Sequence, residues 1–220
     1  MLDLPEVGVN SSLTGNSGSV LDIYAEGLRY FMGHGSLNNT LAQLAADLKN
    51  HNIDYVVIGA VAMLAHGYPR FTEDIDLVLT PEGLEAFHRE LVGLGYAPAF
   101  PGARKRLRST RDGIPIEVIT AGEYPGDGQP KPVSFPKPSE ASIERDGVRF
   151  VTFEKLIELK LASGMTAGDR LKDLADVQEL IKIHGLQANF AERLDPYVRN
   201  KFIELSEAVE KSSQANKEQE

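Results

Sequence analysis

Apolar and polar positions divide the chain into segments of different period. From Asn39 onward Leu41, Leu44, Ala45 and Leu48 recur at helical spacing, and the unbroken apolar run Tyr55-Val56-Val57-Ile58 has the composition of a buried strand ended by Gly59. A short helix is expected over 60–65, a turn over 67–69, and a second strand over 75–79. Thr80-Pro81 then supplies an N-cap and a favoured first helical residue for a helix reaching about Leu94, with Gly95 as its stop. Two further strands, over 105–110 and 114–120, flank Arg111-Asp112-Gly113, whose Asp-Gly pair predicts an antiparallel hairpin. Pro and Gly recur through 121–142, which reads as a long surface loop.

After a short strand over 148–151, Thr152 is expected to cap a helix to about Ser163. Leu171 to His184 forms another helix stopped by Gly185, and 188–209 a last one. The Gly-, Asn- and Ser-rich stretch 8–19 lacks an apolar period, and 211–220 is almost devoid of apolar residues. The expected organisation is a flexible or weakly ordered segment (1–38), a core (39–151), a helical C-terminal region (152–210) and a disordered tail (211–220). Because the later strands form a hairpin, the fold class is α+β, a mixed sheet flanked by helices, and not a doubly wound parallel sheet.

Composition narrows the picture. The 220 residues are 42% hydrophobic and 25% charged, ordinary for a folded globular chain. A net charge of -9 argues against nucleic-acid binding by a uniformly basic surface, and the absence of cysteine excludes a disulfide framework or a thiolate zinc site. With neither a basic-then-apolar start nor a membrane-length apolar run, the expectation is a cytoplasmic location and no membrane partner.

The chemistry concentrates in Thr72-Glu73-Asp74-Ile75-Asp76-Leu77-Val78-Leu79. Strand side chains at i and i+2 share a face about 7 Å apart, so Asp74 and Asp76 point together while Ile75 and Leu77 face the other way. Two like charges so close repel unless a cation lies between them, and hard oxygen ligands suit magnesium or manganese. The plainer reading, the wet side of a half-buried strand, stands beside it. Shortly before lies Ile58-Gly59-Ala60, a strand-to-helix turn of small residues that a phosphate can approach closely.

This order of residues resembles the DNA polymerase beta-like nucleotidyltransferase superfamily, in which an apolar residue, Gly, and Gly or Ser precede Asp-x-Asp on a strand by roughly a dozen residues. The fuller run, from Val57-Ile58-Gly59-Ala60-Val61-Ala62 to His66-Gly67-Tyr68-Pro69-Arg70-Phe71-Thr72-Glu73-Asp74-Ile75-Asp76-Leu77, is most similar to the AbiEii-type branch, which includes toxins of bacterial toxin-antitoxin pairs. One residue departs from the pattern: Ala60 keeps the backbone donor but lacks the hydroxyl of a serine. The resemblance implies a third carboxylate from a later strand, which Ile114-Pro115-Ile116-Glu117-Val118-Ile119 offers in Glu117, as metal ligand or general base. Alone, Glu117 reads equally as an exposed acid on a strand that Pro115 marks as an edge.

Arg70 and Thr72 immediately precede the acid pair, where an arginine either grips a triphosphate or ends a turn in solvent. Arg104, Lys105, Arg106, Arg108 and Arg111 form the one dense basic run, either a phosphate- or RNA-facing patch or a solvated face. By resemblance, Lys160 neutralises a triphosphate, and Asp173, in Lys172-Asp173-Leu174-Ala175-Asp176, orients it or the lysine. Without the resemblance, Lys160 is a snorkelling lysine beside Leu156, Ile157, Leu159 and Leu161, and Asp173 and Asp176 a solvated pair.

The resemblance thus implies transfer of a nucleoside monophosphate from an NTP to an acceptor hydroxyl on transfer RNA, protein or a small molecule. Mg2+ or Mn2+ would be held by Asp74, Asp76 and Glu117, and phosphates by Gly59, Ala60, Arg70, Thr72, Lys160 and Asp173. An antitoxin protein is the further partner implied. The competing reading is a catalytically inactive chain that keeps the fold as a nucleotide-binding or protein-interaction module.

Overall fold

A computed structural model describes residues 35–217. The stretch 8–19 and the other residues before Gly35 lie outside it. Helix α1 (Ser36–Asn50) buries Leu37, Leu41, Leu44, Ala45 and Leu48, the face its apolar period predicts. Strand β1 (Tyr55–Ile58) is buried at every position, as its unbroken apolar sequence requires. It leads directly into α2 (Gly59–Ala65), then β2 (Ile75–Leu79) and α3 (Pro81–Glu90). The Thr80 side chain accepts from the Gly83 N–H at 3.0 Å, so the cap read from the sequence is made. Next come β3 (Tyr96–Pro98), β4 (Arg106–Ser109), β5 (Pro115–Thr120), β6 (Ser142–Arg145) and β7 (Val148–Val151).

The strands form one mixed seven-stranded sheet in the order β3-β4-β5-β2-β1-β7-β6. β4 and β5 are antiparallel, as the Asp-Gly turn predicts, and β5 runs parallel to β2. That register sets Asp76 beside Glu117, and Glu117 beside Arg106. Period-two alternation sends Leu107, Ile116 and Val118 into the core and leaves Arg106, Arg108 and Glu117 exposed on the other face.

The C-terminal region comprises α4 (Phe153–Thr166), α5 (Leu171–His184) and α6 (Pro196–Lys217), with 3-10 turns at Gly168–Arg170 and Ala188–Arg193. α4 packs on both α5 and α6. Gly185 ends α5 in the left-handed conformation (φ 59°) that glycine adopts without strain.

Several boundaries differ from the sequence reading. α3 stops at Glu90, well short of Leu94: the chain turns through Gly93 (φ 90°), and Val92 bridges to Tyr96. The helix expected over 188–209 is a 3-10 turn followed by α6, because Pro196 disfavours a helical Asp195 and starts the new helix itself. α6 continues to Lys217, through much of the stretch read as a tail. Thr152 occupies the N-cap of α4 but makes no side-chain cap bond there. β3 and β6 were absent from the sequence reading; both are short edge strands, and β3 ends in proline.

Candidate functional site

A cleft of about 780 Å³ lies between the sheet and α4 and α5. Its lining includes Gly59, Ala60, Arg70, Thr72, Asp74, Asp76, Glu117, Lys160 and Asp173, so every candidate site residue meets in one cavity.

The sheet supplies the acidic wall. β2 carries Asp76 outward between the fully buried Ile75 and Leu77, and β5 carries Glu117 in register beside it. Asp74 lies just before β2 and accepts a short hydrogen bond from the Thr72 hydroxyl. Burial, then the nearby charges of Asp74 and Glu117, push the Asp76 carboxyl from 3.8 to about 7; Lys160 and Lys172 oppose that rise. Glu117 is 49% exposed, with the Arg106 Nε 4.0 Å away.

Gly59 completes this wall. Its φ of 66° lies in the left-handed region, and a Cβ there would fall 2.0 Å from the Asp76 Oδ2 atom. Any side chain at Gly59 would displace the carboxylate. Ala60 is buried and lines the cleft at the next position.

The helical wall is organised differently. The Lys160 Nζ donates to Asp173 Oδ1 at 2.7 Å and to Asp176 Oδ2 at 2.6 Å. The Arg70 Nη1 also donates to Asp176 Oδ2, at 2.6 Å, and the Ser163 hydroxyl to Asp173 Oδ2, at 2.7 Å. Lys160, Asp173 and Asp176 are only 9%, 6% and 5% exposed, so this is a closed, charge-balanced cluster and not a solvated helix face. Burial alone would raise the Asp173 carboxyl, but the Lys160 charge and hydrogen bond, with the Ser163 hydroxyl, outweigh it and hold Asp173 below the ordinary carboxylate range.

Asp176 and Ser163 were not assigned to the site from the sequence. The signal was present: Ser163 stands three residues after Lys160, and Asp176 three after Asp173, so each pair shares a helix face. What spacing alone lacked was the knowledge that those two faces meet.

The basic run divides. Arg106 and Arg108 project from β4 on the cleft face of the sheet, whereas Arg104 pairs with Glu85 and Lys105 with Glu123. His66 stays out of the cleft: it is buried, with a ring nitrogen 2.7 Å from the Val151 carbonyl, and burial, first among its causes, holds its pKa below the ordinary value.

Among the described residues no three His, Asp or Glu side chains close into a finished metal cage. The acidic wall nevertheless fits a hard divalent cation. Its donors are all carboxylate oxygens, burial and then the charges of Asp74 and Glu117 raise Asp76, and magnesium is commonly held by one or two carboxylates with phosphate oxygens and water completing the shell. Among the described residues no helix is long and apolar enough to cross a membrane.

A family model described as "Nucleotidyl transferase AbiEii toxin, Type IV TA system" matches residues 41–219. No curated protein matches the chain. Similar solved structures include an antigenic nucleotidyltransferase-like protein from Paracoccidioides brasiliensis, 18% identical, with 66% of this chain and 75% of that one aligned at a TM-score of 0.44. A putative nucleotidyltransferase from Thermotoga maritima is 20% identical over 62% of this chain and 89% of that one (TM-score 0.44). Another from H. pylori is 16% identical over 82% and 96% (TM-score 0.44).

Proposed function

The chain belongs to the AbiEii family of nucleotidyl transferase toxins, and from that premise we propose that it moves a nucleoside monophosphate from an NTP to an acceptor hydroxyl, using a divalent cation held at Asp74 and Asp76, with Glu117 as the general base. The observation that carries this reading is the acidic row itself, in which Asp76 and Glu117 stand side by side on adjacent strands with Asp74 close enough to raise the Asp76 carboxyl.

In this reading the residues divide the work as follows. Asp74 and Asp76 hold the cation, and Thr72 fixes the Asp74 carboxylate through its hydroxyl. Bound there, Mg2+ or Mn2+ supplies positive charge to the phosphates and lowers the pKa of the acceptor hydroxyl. Gly59 leaves room for the Asp76 carboxylate, and the phosphates would lie against the Gly59-Ala60 turn that lines the cleft beside it. Glu117, exposed where Asp74 and Asp76 are partly buried, takes the proton from the acceptor hydroxyl. The hydroxyl oxygen forms its bond to the α-phosphorus as the bond to the bridging oxygen breaks and pyrophosphate leaves in line.

Lys160 and Arg70 act through the helical cluster. Both bind Asp176, so the pair fixes α4, α5 and the segment before β2 relative to one another. The Lys160 charge already favours ionised Asp76, and the same field would favour phosphate oxygens in the cleft. Asp173 keeps Lys160 oriented.

The acceptor is transfer RNA, protein or a small molecule; exposed Arg106 and Arg108 on the cleft face of β4 favour one that carries phosphate. We propose further that the chain acts as the toxin of a pair, neutralised by an antitoxin protein, in the cytoplasm. The test is calorimetric titration of four nonhydrolysable NTPs, with and without Mg2+, into the wild type and the Asp74→Asn, Asp76→Asn double variant. Binding that needs both metal and acids is expected. Failure of the folded wild type to bind any of the four would favour the inactive-module reading.

A further inference from the structure

The Pro- and Gly-rich segment between β5 and β6 has no regular structure, yet it is not loose. Pro125, Val133, Pro136 and Pro138 are buried. Its two arms are joined by backbone bonds, the Gly122 N–H to the Phe135 carbonyl and the Phe135 N–H to the Glu123 carbonyl, each at 2.8 Å. Lys131, whose side chain is only 5% exposed, donates to the Pro125 carbonyl at 2.5 Å, to the Asp127 carboxylate, and to the Thr166 hydroxyl of α4 at 3.2 Å. Gly126 lies so close to the same helical turn that a Cβ would fall 2.3 Å from the Thr166 Oγ1 and 2.8 Å from the Ser163 carbonyl oxygen. The segment is therefore a strap that leaves the end of β5, crosses to α4 and is fastened there.

That strap bounds one end of the cleft and changes its character. At the Gly59 end the lining is acidic and polar; at the strap end it is Ile119, Tyr124, Pro125 and Phe135, with Leu156 and Leu159 of α4 alongside and one carboxylate, Glu123, which pairs with Lys105. Ile119 follows Glu117 by two residues on the same strand, about 7 Å farther along. A macromolecular acceptor needs an open flank, which the exposed Arg106 and Arg108 side of β4 offers and the fastened strap does not. A stretch of lining with two aromatic rings among apolar side chains suits a flat heterocycle of small size.

We propose that the strap is the nucleobase-binding wall of the cleft, with Tyr124 and Phe135 as its ring contacts and Lys131 as the positioning residue that fastens it. The inference rests on nucleotide binding at the acidic row. It assigns recognition of the base to a segment separate from the acids and from the Lys160 cluster.

The experiment compares, with Mg2+ present, the affinities of ATP, GTP, CTP and UTP with that of inorganic tripolyphosphate. The proteins are the wild type, Tyr124→Ala and Tyr124→Phe. The wild type is expected to favour at least one NTP over tripolyphosphate. Tyr124→Ala should weaken that NTP roughly ten-fold, the order expected for one lost stacking contact. Its tripolyphosphate affinity should stay unchanged, which shows that the variant is folded, and Tyr124→Phe should retain the preference. If Tyr124→Ala keeps the full preference, or loses both ligands equally, the inference fails and the nucleotidyl transfer reading stands. A wild type that binds tripolyphosphate as well as every NTP likewise overturns the inference alone. A wild type that binds none of the five overturns both.

Discussion

The two walls of the cleft carry similar numbers of charges and treat them in opposite ways. On the helical wall, Lys160 and Arg70 are matched by Asp173 and Asp176 in a buried, hydrogen-bonded cluster. On the sheet wall, Asp74, Asp76 and Glu117 face one another, and the one cation in contact range among the described residues is Arg106, 4.0 Å from Glu117. A balanced buried cluster is costly to disturb and cheap to keep, so it holds geometry. In the acidic row burial first, and then the neighbouring carboxylates, disfavour the charged form of Asp76, which a bound cation would relieve. The contrast separates scaffold from chemistry within one cavity.

The largest expected effect on folding comes from breaking the balance. Lys160→Met leaves two buried carboxylates without their shared ammonium, and a loss of about 3–5 kcal/mol is expected in urea unfolding. A loss below about 1 kcal/mol would mean that the cluster is less closed than its exposure indicates. Because of that cost, loss of activity in Lys160→Met is not evidence of a direct chemical role unless folding is measured alongside.

The sheet wall should behave in the reverse sense. The Asp74→Asn, Asp76→Asn variant is expected to lose about 10³-fold in transfer rate, the order of a several-kcal/mol loss in stabilisation of the reacting phosphate. It should be no less stable than the wild type in metal-free buffer. Parallel loss of fold and activity would erase the distinction between the walls.

Smaller still, Ser163→Ala removes one hydrogen bond to Asp173 and should cost about 1 kcal/mol in chemical denaturation, with no change in metal dependence. A separate effect, of about 4 kcal/mol when the rise of Asp76 is fully expressed, is in the pH profile. Between about 4 and 7, folded Asp76 keeps a proton that the unfolded chain has released, so this group's contribution to stability falls as pH rises through that window, and its full penalty is present above 7. In metal-free buffer the melting temperature of Asp76→Asn should exceed that of the wild type at about pH 8, with the gap closing towards about pH 4. A gap independent of pH would show that Asp76 does not titrate in this range.

The sheet wall was the more legible of the two from sequence, and the reason is physical. Asp74-Ile75-Asp76 follows a strand period of two, and Asp112-Gly113 names its own turn, so acid face and hairpin could be read locally. The helical wall depends on which face of α4 meets which face of α5. Lys160 and Asp173 are 13 residues apart, and nothing in either helix alone distinguishes a buried partner from a solvated charge. The strap was legible only as a loop: its order comes from Lys131 and Gly126 meeting Thr166, a contact that no local pattern encodes. β3 and β6 escaped because three- and four-residue edge strands scarcely complete one alternation, and α6 outran its apolar period because a helix already anchored by Val198, Phe202 and Leu205 can extend into polar sequence.

The most direct measurement follows the label. Wild-type protein and the Asp74→Asn, Asp76→Asn variant are incubated with Mg2+, each of the four NTPs labelled on either the α- or the γ-phosphate, and a cell extract as the source of acceptor. The account predicts that α-label becomes covalently attached to an acceptor while γ-label leaves as pyrophosphate, and that attachment requires Mg2+ and both aspartates. Attachment of γ-label, or of α-label at the same rate by the double variant, would contradict it.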